Sequence, residues 1–186
     1  MIILENISFS YDRRKNIIEN LSLTINDGDR ICISGPSGRG KTTLLRLIIG
    51  LERPTAGGII NSDNIKIATV FQEDRLAPWK STLENVAMFS DNETALNIMA
   101  ELGIEAAAGS MPSELSGGMK RRAALARALC SPFDILVLDE PFTGLDEEMK
   151  SVCINAVNRL TDGKTVIAAT HESREAAALK LKTITI

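Results

Sequence analysis

Residues 35–42 read Gly-Pro-Ser-Gly-Arg-Gly-Lys-Thr, a G-x-x-x-x-G-K-[ST] pattern with an apolar run before it and a helical run after it. Its glycines let the backbone curl until successive N–H groups point into one concavity, and the positive end of the following helix adds to the pull on an oxyanion. A strand, a tight loop and a helix must therefore follow one another directly. The apolar patterning elsewhere repeats that unit. Strands are expected at residues 2–9, 18–25, 31–34, 65–71, 135–138 and 165–169. Helices are expected at residues 41–49, from Leu83, and at 93–102, 120–129 and 147–160, with Ser81 and Glu84 spaced as a capping box. Strands alternating with helices predict a parallel α/β core. Leu21, Leu23 and Ile25 alternate with polar residues and mark an antiparallel opening. With no repeat or linker in its 186 residues, the chain reads as one domain, with a helical subdomain at roughly 73–130.

The loop's chemistry follows from its residue types. Lys41 reaches the β and γ phosphates of a nucleotide as a point charge, and the Thr42 hydroxyl is a ligand for Mg²⁺. A matching metal carboxylate belongs at the exit of another core strand, and Ile-Leu-Val-Leu-Asp at 135–139 supplies it in Asp139. Glu140 stands next to it, where a general base can polarise an attacking water. By itself Asp-Glu-Pro at 139–141 is an ordinary acidic turn; paired with the phosphate loop it is a catalytic pattern.

Other function classes recede. A net charge of −3 and a pI near 5.3 argue against a nucleic-acid partner, which requires a basic face. The basic clusters at 13–15 and 120–122 read as solvated charge. Cys32, Cys130 and Cys153 have no metal-ligand spacing and read as packed, reduced thiols. The start of the chain carries no signal-peptide pattern, and the longest apolar run, 44–51, contains Arg46. Any work at a membrane requires a partner that crosses it.

Leu-Ser-Gly-Gly-Met at 115–119, followed by Lys-Arg-Arg-Ala-Ala-Leu-Ala-Arg-Ala-Leu, resembles the signature sequence of ATP-binding cassette ATPases. Met119 stands where the family usually has Gln, which leaves the Ser-Gly-Gly part intact and removes an amide. Physically, Ser116-Gly117-Gly118 opens a second anion-binding helix terminus. The resemblance implies a P-loop NTPase (RecA-like) core with a mainly parallel sheet, an antiparallel β subdomain and a small helical subdomain. It implies a head-to-tail dimer, each ATP lying between one chain's phosphate loop and the other's signature. On this reading Gly35, Pro36, Ser37, Gly38, Arg39, Gly40, Lys41, Thr42 and Thr43 cradle the nucleotide, and Ser116, Gly117 and Gly118 close over it. Tyr11 matches the aromatic that stacks on adenine. Gln72 matches the Q-loop residue that touches metal or water, Asp139 the Walker B aspartate, Asp146 the D-loop contact and His171 the switch histidine. Plain alternatives stand beside each: Tyr11 as a strand aromatic, Asp146 as a helix cap, His171 as an incidental surface residue.

The segment from Phe71 to Asn85 looks like the Q-loop region of bacterial importers for nitrate, sulfonate or taurine. The expected function is the ATP-hydrolysing subunit of a membrane transporter, using ATP and Mg²⁺. It would act with a second copy of the chain, transmembrane permease subunits and an extracytoplasmic solute-binding protein, on the cytoplasmic face of the membrane. Two alternatives compete. A cassette acting on a soluble assembly would share every motif. A small-molecule P-loop kinase would need an arginine-bearing lid and has no use for residues 115–118.

Overall fold

The computed structural model describes residues 1–12, 15–36, 38–62 and 64–186. Ser37 of the phosphate loop and the Arg13-Arg14 pair lie outside the described residues. Among the described residues the strands are β1 (Ile2–Phe9), β2 (Ile18–Ile25), β3 (Arg30–Ser34), β4 (Ala56–Asn61), β5 (Ile67–Val70), β6 (Ile135–Asp139), β7 (Thr165–Ala169) and β8 (Lys182–Thr185). The α-helices are α1 (Lys41–Ile48), α2 (Thr82–Val86), α3 (Asn92–Glu101), α4 (Gly117–Cys130), α5 (Glu147–Leu160) and α6 (Ser173–Ala178).

Five strands form a wholly parallel sheet in the order β5-β6-β7-β3-β8. β6 and β7 are apolar along almost their whole length because both faces are covered. Side chains alternate between those faces. Ile135 and Val137 pack with Leu44 and Leu47 of α1 and with Ile2, Leu4 and Ile25 of the antiparallel sheet. Leu136 and Leu138 join the other core, with Val86 of α2, Met99 of α3, Leu125 of α4 and Val157 of α5. The chain is thus an α/β P-loop fold, with its antiparallel sheet (order β2-β1-β4) on one side and its helices mainly on the other.

Local chemistry places the helix ends. Ser81 and Glu84 make both bonds of a capping box, which starts α2 at Thr82. Asn85, fully buried, accepts from the Ala77 N–H at 2.7 Å and donates to the carbonyls of Ala77, Lys80 and Ser81, tying down the loop that follows Gln72. α4 starts at Gly117, earlier than the expected residue 120, because the Ser116 hydroxyl accepts from the Met119 N–H and caps it.

Three elements escape the periodicity. β4 opens with Ala-Gly-Gly and is exposed or half-exposed throughout; α6 lacks an apolar stripe; β8 is a four-residue edge strand. β4 holds its place through backbone fit. Its pairing with β1 shifts register between Glu5 and Ser8, and Gly57 enters that irregularity at φ 78°. A Cβ at Gly57 would lie 2.3 Å from the Glu5 carbonyl oxygen and 2.4 Å from that of Asn6. Gly57→Ala is therefore expected to destabilise the fold by about 2–3 kcal/mol, from forced backbone movement and a left-handed residue together. Urea denaturation measures this, and a loss below ~0.5 kcal/mol would contradict so close an approach.

Candidate active site

In the parallel sheet Val70 pairs with Leu138, Leu138 with Ala168, and both Asp139 and Ile33 with Ala169. The C-terminal ends of β5, β6, β7 and β3 therefore finish at one level. The loops leaving them carry Gln72, Glu140, His171 and the phosphate loop. Open α/β sheets hold ligands along this edge.

Gly40 caps α1 at φ 91°, and a Cβ there would lie 2.6 Å from Cγ2 of Ile17, so only glycine fits beneath the loop. Lys41 Nζ donates to the carbonyls of Gly35 at 2.9 Å and Pro36 at 3.3 Å, which holds the ammonium over the start of the loop. Pro36, Gly38 and Arg39 are exposed on it, and Thr43 is buried under it. The Thr42 hydroxyl donates to Asp139 Oδ1 at 3.1 Å.

Asp139 continues the parity of Ile135 and Val137 and so faces α1. It is only 4% exposed. Burial pushes its pKa up and neighbouring Glu140 adds to this, while the Thr42 hydrogen bond, Arg121 and Arg46 pull the other way. Thr42, Arg46, Gln72, Glu73 and Asp139 line a cleft between α1 and the exit of β5. A carboxylate, a hydroxyl and an amide are hard oxygen donors that suit Mg²⁺, which takes few protein ligands and leaves the rest to water and phosphate. No group of three or more His, Cys, Asp or Glu that could hold a metal ion occurs among the described residues.

Glu140 adopts φ 48°, the left-handed region, which costs a residue with a Cβ about 1–3 kcal/mol and persists only where its surroundings enforce it. Its N–H donates to the Ala169 carbonyl at 2.9 Å, and its own carbonyl accepts from Arg121. The turn aims its side chain along the sheet edge, where His171 Nδ1–H donates to Oε2 at 2.9 Å. His171 remains mostly solvent-facing on its other side.

Tyr11 is 55% exposed, stands edge-on to Phe9 with centroids 4.8 Å apart, and accepts a long hydrogen bond from Arg46. Ser116 and Gly117 are exposed at the start of α4. Gly118 is more enclosed: a Cβ on it would lie 3.4 Å from Leu145, in the segment leading to Asp146. Met119 packs against the same core as Leu145, which is where an apolar residue at that position finds its partners. Asp146 is exposed and caps α5 by accepting from the Met149 N–H. The structure thus gathers Lys41, Thr42, Asp139, Glu140, Gln72 and His171 at one edge. Among the described residues no hydrogen bond joins residues 116–118 to residues 35–42.

Two features went unread in the sequence. Arg121 is buried and donates to main-chain carbonyls from both the Gln72 loop and the Asp139–Pro141 turn. Lys150 bridges Glu172 and Glu175 beside His171; Glu172, with Glu175 behind it, holds its ammonium well above the ordinary lysine range. Arg121 sits inside the basic run 120–122 that reads as solvated charge, and Lys150 is an isolated cation on an expected helix; neither carries a local sign of its partners.

Comparison with known proteins agrees with this geometry. A family profile described as ABC transporter matches residues 18–143. The chain is 39% identical over 175 residues to the aliphatic sulfonates import ATP-binding protein SsuB 1 of Rhodococcus jostii (strain RHA1), covering 90% of this chain and 71% of that protein. It is 38% identical over 193 aligned positions to the aliphatic sulfonates import ATP-binding protein SsuB of Escherichia coli (strain K12), covering 96% and 74%. Among solved structures, a dimeric ATP-binding cassette in a post-hydrolysis state, bound to ADP and Pi, superposes with a TM-score of 0.89 at 30% identity, covering 100% of this chain and 94% of that one. The motifs, the fold and these relatives agree: the chain belongs to the ABC transporter family of ATP-binding, ATP-hydrolysing cassettes.

Proposed function

We propose that two copies of this chain close head to tail over two molecules of Mg-ATP, and that hydrolysis there drives the membrane subunits of a bacterial importer. One observation carries this. Each protomer has two separate glycine-lined anion termini, the loop at 35–42 and the start of α4, with no hydrogen bond between them among the described residues. A single γ-phosphate is enclosed when a two-fold mate lends the second rim. The dimeric form of the similar cassette bound to ADP and Pi supports an assembly of two copies.

On this reading the loop N–H groups and Lys41 hold the β and γ phosphates, and Tyr11 stacks on adenine. Thr42, Asp139 and Gln72 hold Mg²⁺, which when bound neutralises phosphate charge. Glu140 accepts a proton from the attacking water as its oxygen bonds to the γ phosphorus and the bridging oxygen leaves with ADP. His171 keeps the Glu140 carboxylate aimed and presents its ring to the γ-phosphate. Ser116, Gly117, Gly118 and Asp146 meet the nucleotide or loop of the mate.

No helix among the described residues is long and apolar enough to cross a membrane. We assign the membrane path to permease subunits, place the chain against them on the cytoplasmic face, and take an extracytoplasmic solute-binding protein as the remaining component. The helical subdomain at roughly 73–130 supplies a docking wall. A groove beside the open edge of β5 is lined by Leu51, Phe71, Met88 and Phe89, of which Leu51 and Phe89 are largely exposed. The import names of the relatives support the direction of transport, and aliphatic sulfonates are the first solutes to test.

Three outcomes are expected. Glu140→Gln should bind ATP yet slow hydrolysis by roughly a hundredfold or more, accumulating an ATP-bound dimer on gel filtration, whereas Lys41→Ala should lose ATP binding in fluorescence titration. Normal turnover in the first variant, or normal affinity in the second, removes the assigned role. Second, Asp139 has a raised pKa in the folded state, so the folded state binds its proton more tightly than the unfolded state and the charged form opposes folding. Asp139→Asn should melt higher than the wild type without nucleotide at neutral pH. That gap should close as the pH falls through Asp139's raised pKa to below the ordinary aspartate value. A lower melting point for the variant at neutral pH would contradict the burial cost. Third, affinity purification from the native membrane should recover a polytopic membrane protein with the chain; recovery of soluble partners alone would favour the soluble-assembly reading.

A further inference from the structure

Arg121 has no part in the mechanism above, yet it is the most densely engaged side chain of the site. It is 4% exposed and lies in the second turn of α4. Its Nε donates to the Pro141 carbonyl at 2.9 Å; its Nη2 donates to the carbonyls of Asp139, at 2.9 Å, and Glu140. Its Nη1 faces the other way, donating to the Phe71 carbonyl at 2.6 Å, the Gln72 carbonyl at 3.3 Å and the Asp74 carboxylate at 3.2 Å. One planar group therefore bridges the loop bearing Gln72 and the turn bearing Glu140. Its five main-chain acceptors cannot be altered by side-chain substitution, so the guanidinium is the removable half of the joint. Lysine, a point charge with three donors, cannot span both segments as the guanidinium fork does.

Two further facts give the joint a direction. Glu140 is held left-handed from both sides, its N–H by the Ala169 carbonyl and its own carbonyl by Arg121. Freed on one side, the residue has lower-energy backbone conformations to relax into, and the carboxylate would leave the line of the water. The same helix is capped by Ser116, five residues or roughly 7.5 Å of helix axis earlier, a distance over which an α-helix moves as a rigid rod.

We propose that Arg121 is a positioning residue that locks the Gln72 loop to the Asp139–Glu140 turn, so that the α4 terminus facing the mate's nucleotide and the base of the same protomer's own site move as one body. The proposal rests on Glu140 as the base. Nucleotide gripped by Ser116 in one site would thereby set the Glu140 turn in the other, which ties the two hydrolysis events together.

The test uses the full chain with Arg121→Gln and Arg121→Lys, each alone and combined with Glu140→Gln. Steady-state hydrolysis is measured together with ATP affinity and thermal melting. The expected result is kcat lowered by roughly tenfold to a hundredfold with ATP affinity changed less than about twofold. In the Glu140→Gln background, removing Arg121 should lower the residual rate by less than about twofold, since both changes disable one device. Should Arg121→Gln fail to fold, Arg121→Lys, which keeps the buried charge, decides by the same criteria. An unchanged kcat, a loss of affinity matching the loss of rate, or full additivity with Glu140→Gln overturns the proposal. A normal rate in Glu140→Gln alone overturns the base assignment and the proposal together, whereas a slow Glu140→Gln beside a fast Arg121→Lys overturns the proposal only.

Discussion

The hydrogen bond from Thr42 to Asp139 joins the two halves of the site, and most of the architecture is arranged so that it can form. Thr42 sits in the first turn of α1, and Asp139 ends a strand whose neighbours are apolar on both faces. They meet because β3 and β6 run parallel on either side of β7 with their ends at one level, and because side-chain alternation turns Asp139 toward α1. A one-residue slip in β6 would turn that carboxylate into the helical core on the other face. The burial that raises its pKa is thus the cost of placing a carboxylate at the floor of the cleft beside the phosphate loop.

Stability is given up at neighbouring positions too. Glu140 adopts a strained turn, Arg121 buries a cation, and Glu175 is buried with its pKa raised against the pull of the Lys150 ammonium. Each is tolerable because its partners are dense: carbonyls around the guanidinium, an ammonium beside Glu175, a strand neighbour behind Glu140. Such arrangements rigidify loops that apolar packing cannot reach, since loops at a sheet edge expose their backbones. The polar scaffold of the site and its reactive groups therefore occupy the same few residues.

Much of this was legible in the amino-acid order. Fully buried strands such as β6 and β7, and the capped helices α2 and α5, announce themselves through apolar runs and Ser or Asp at the right spacing. Lys41, Thr42, Asp139, Glu140 and His171 were placed at strand exits by pattern, and the structure brings those exits together. What pattern misses is whatever depends on backbone fit or on a partner distant in sequence. β4 rests on Gly57 slipping between two carbonyls, and β8 on pairing with β3. Arg121 reads as one of three consecutive cations; its burial is set by carbonyls some twenty and fifty residues away along the chain. No local periodicity encodes such a contact.

The buried thiols lend this cassette a practical convenience. Cys32, Cys130 and Cys153 are all enclosed, and burial pushes each thiol pKa up, that of Cys153 to about 11. Thiolate, the reactive form, is scarce at all three near neutral pH. A cysteine introduced on the exposed start of α4 would consequently react alone with a bifunctional reagent. Contact between opposed protomers could then be followed in time as a covalent band, with the native sulfurs left in place.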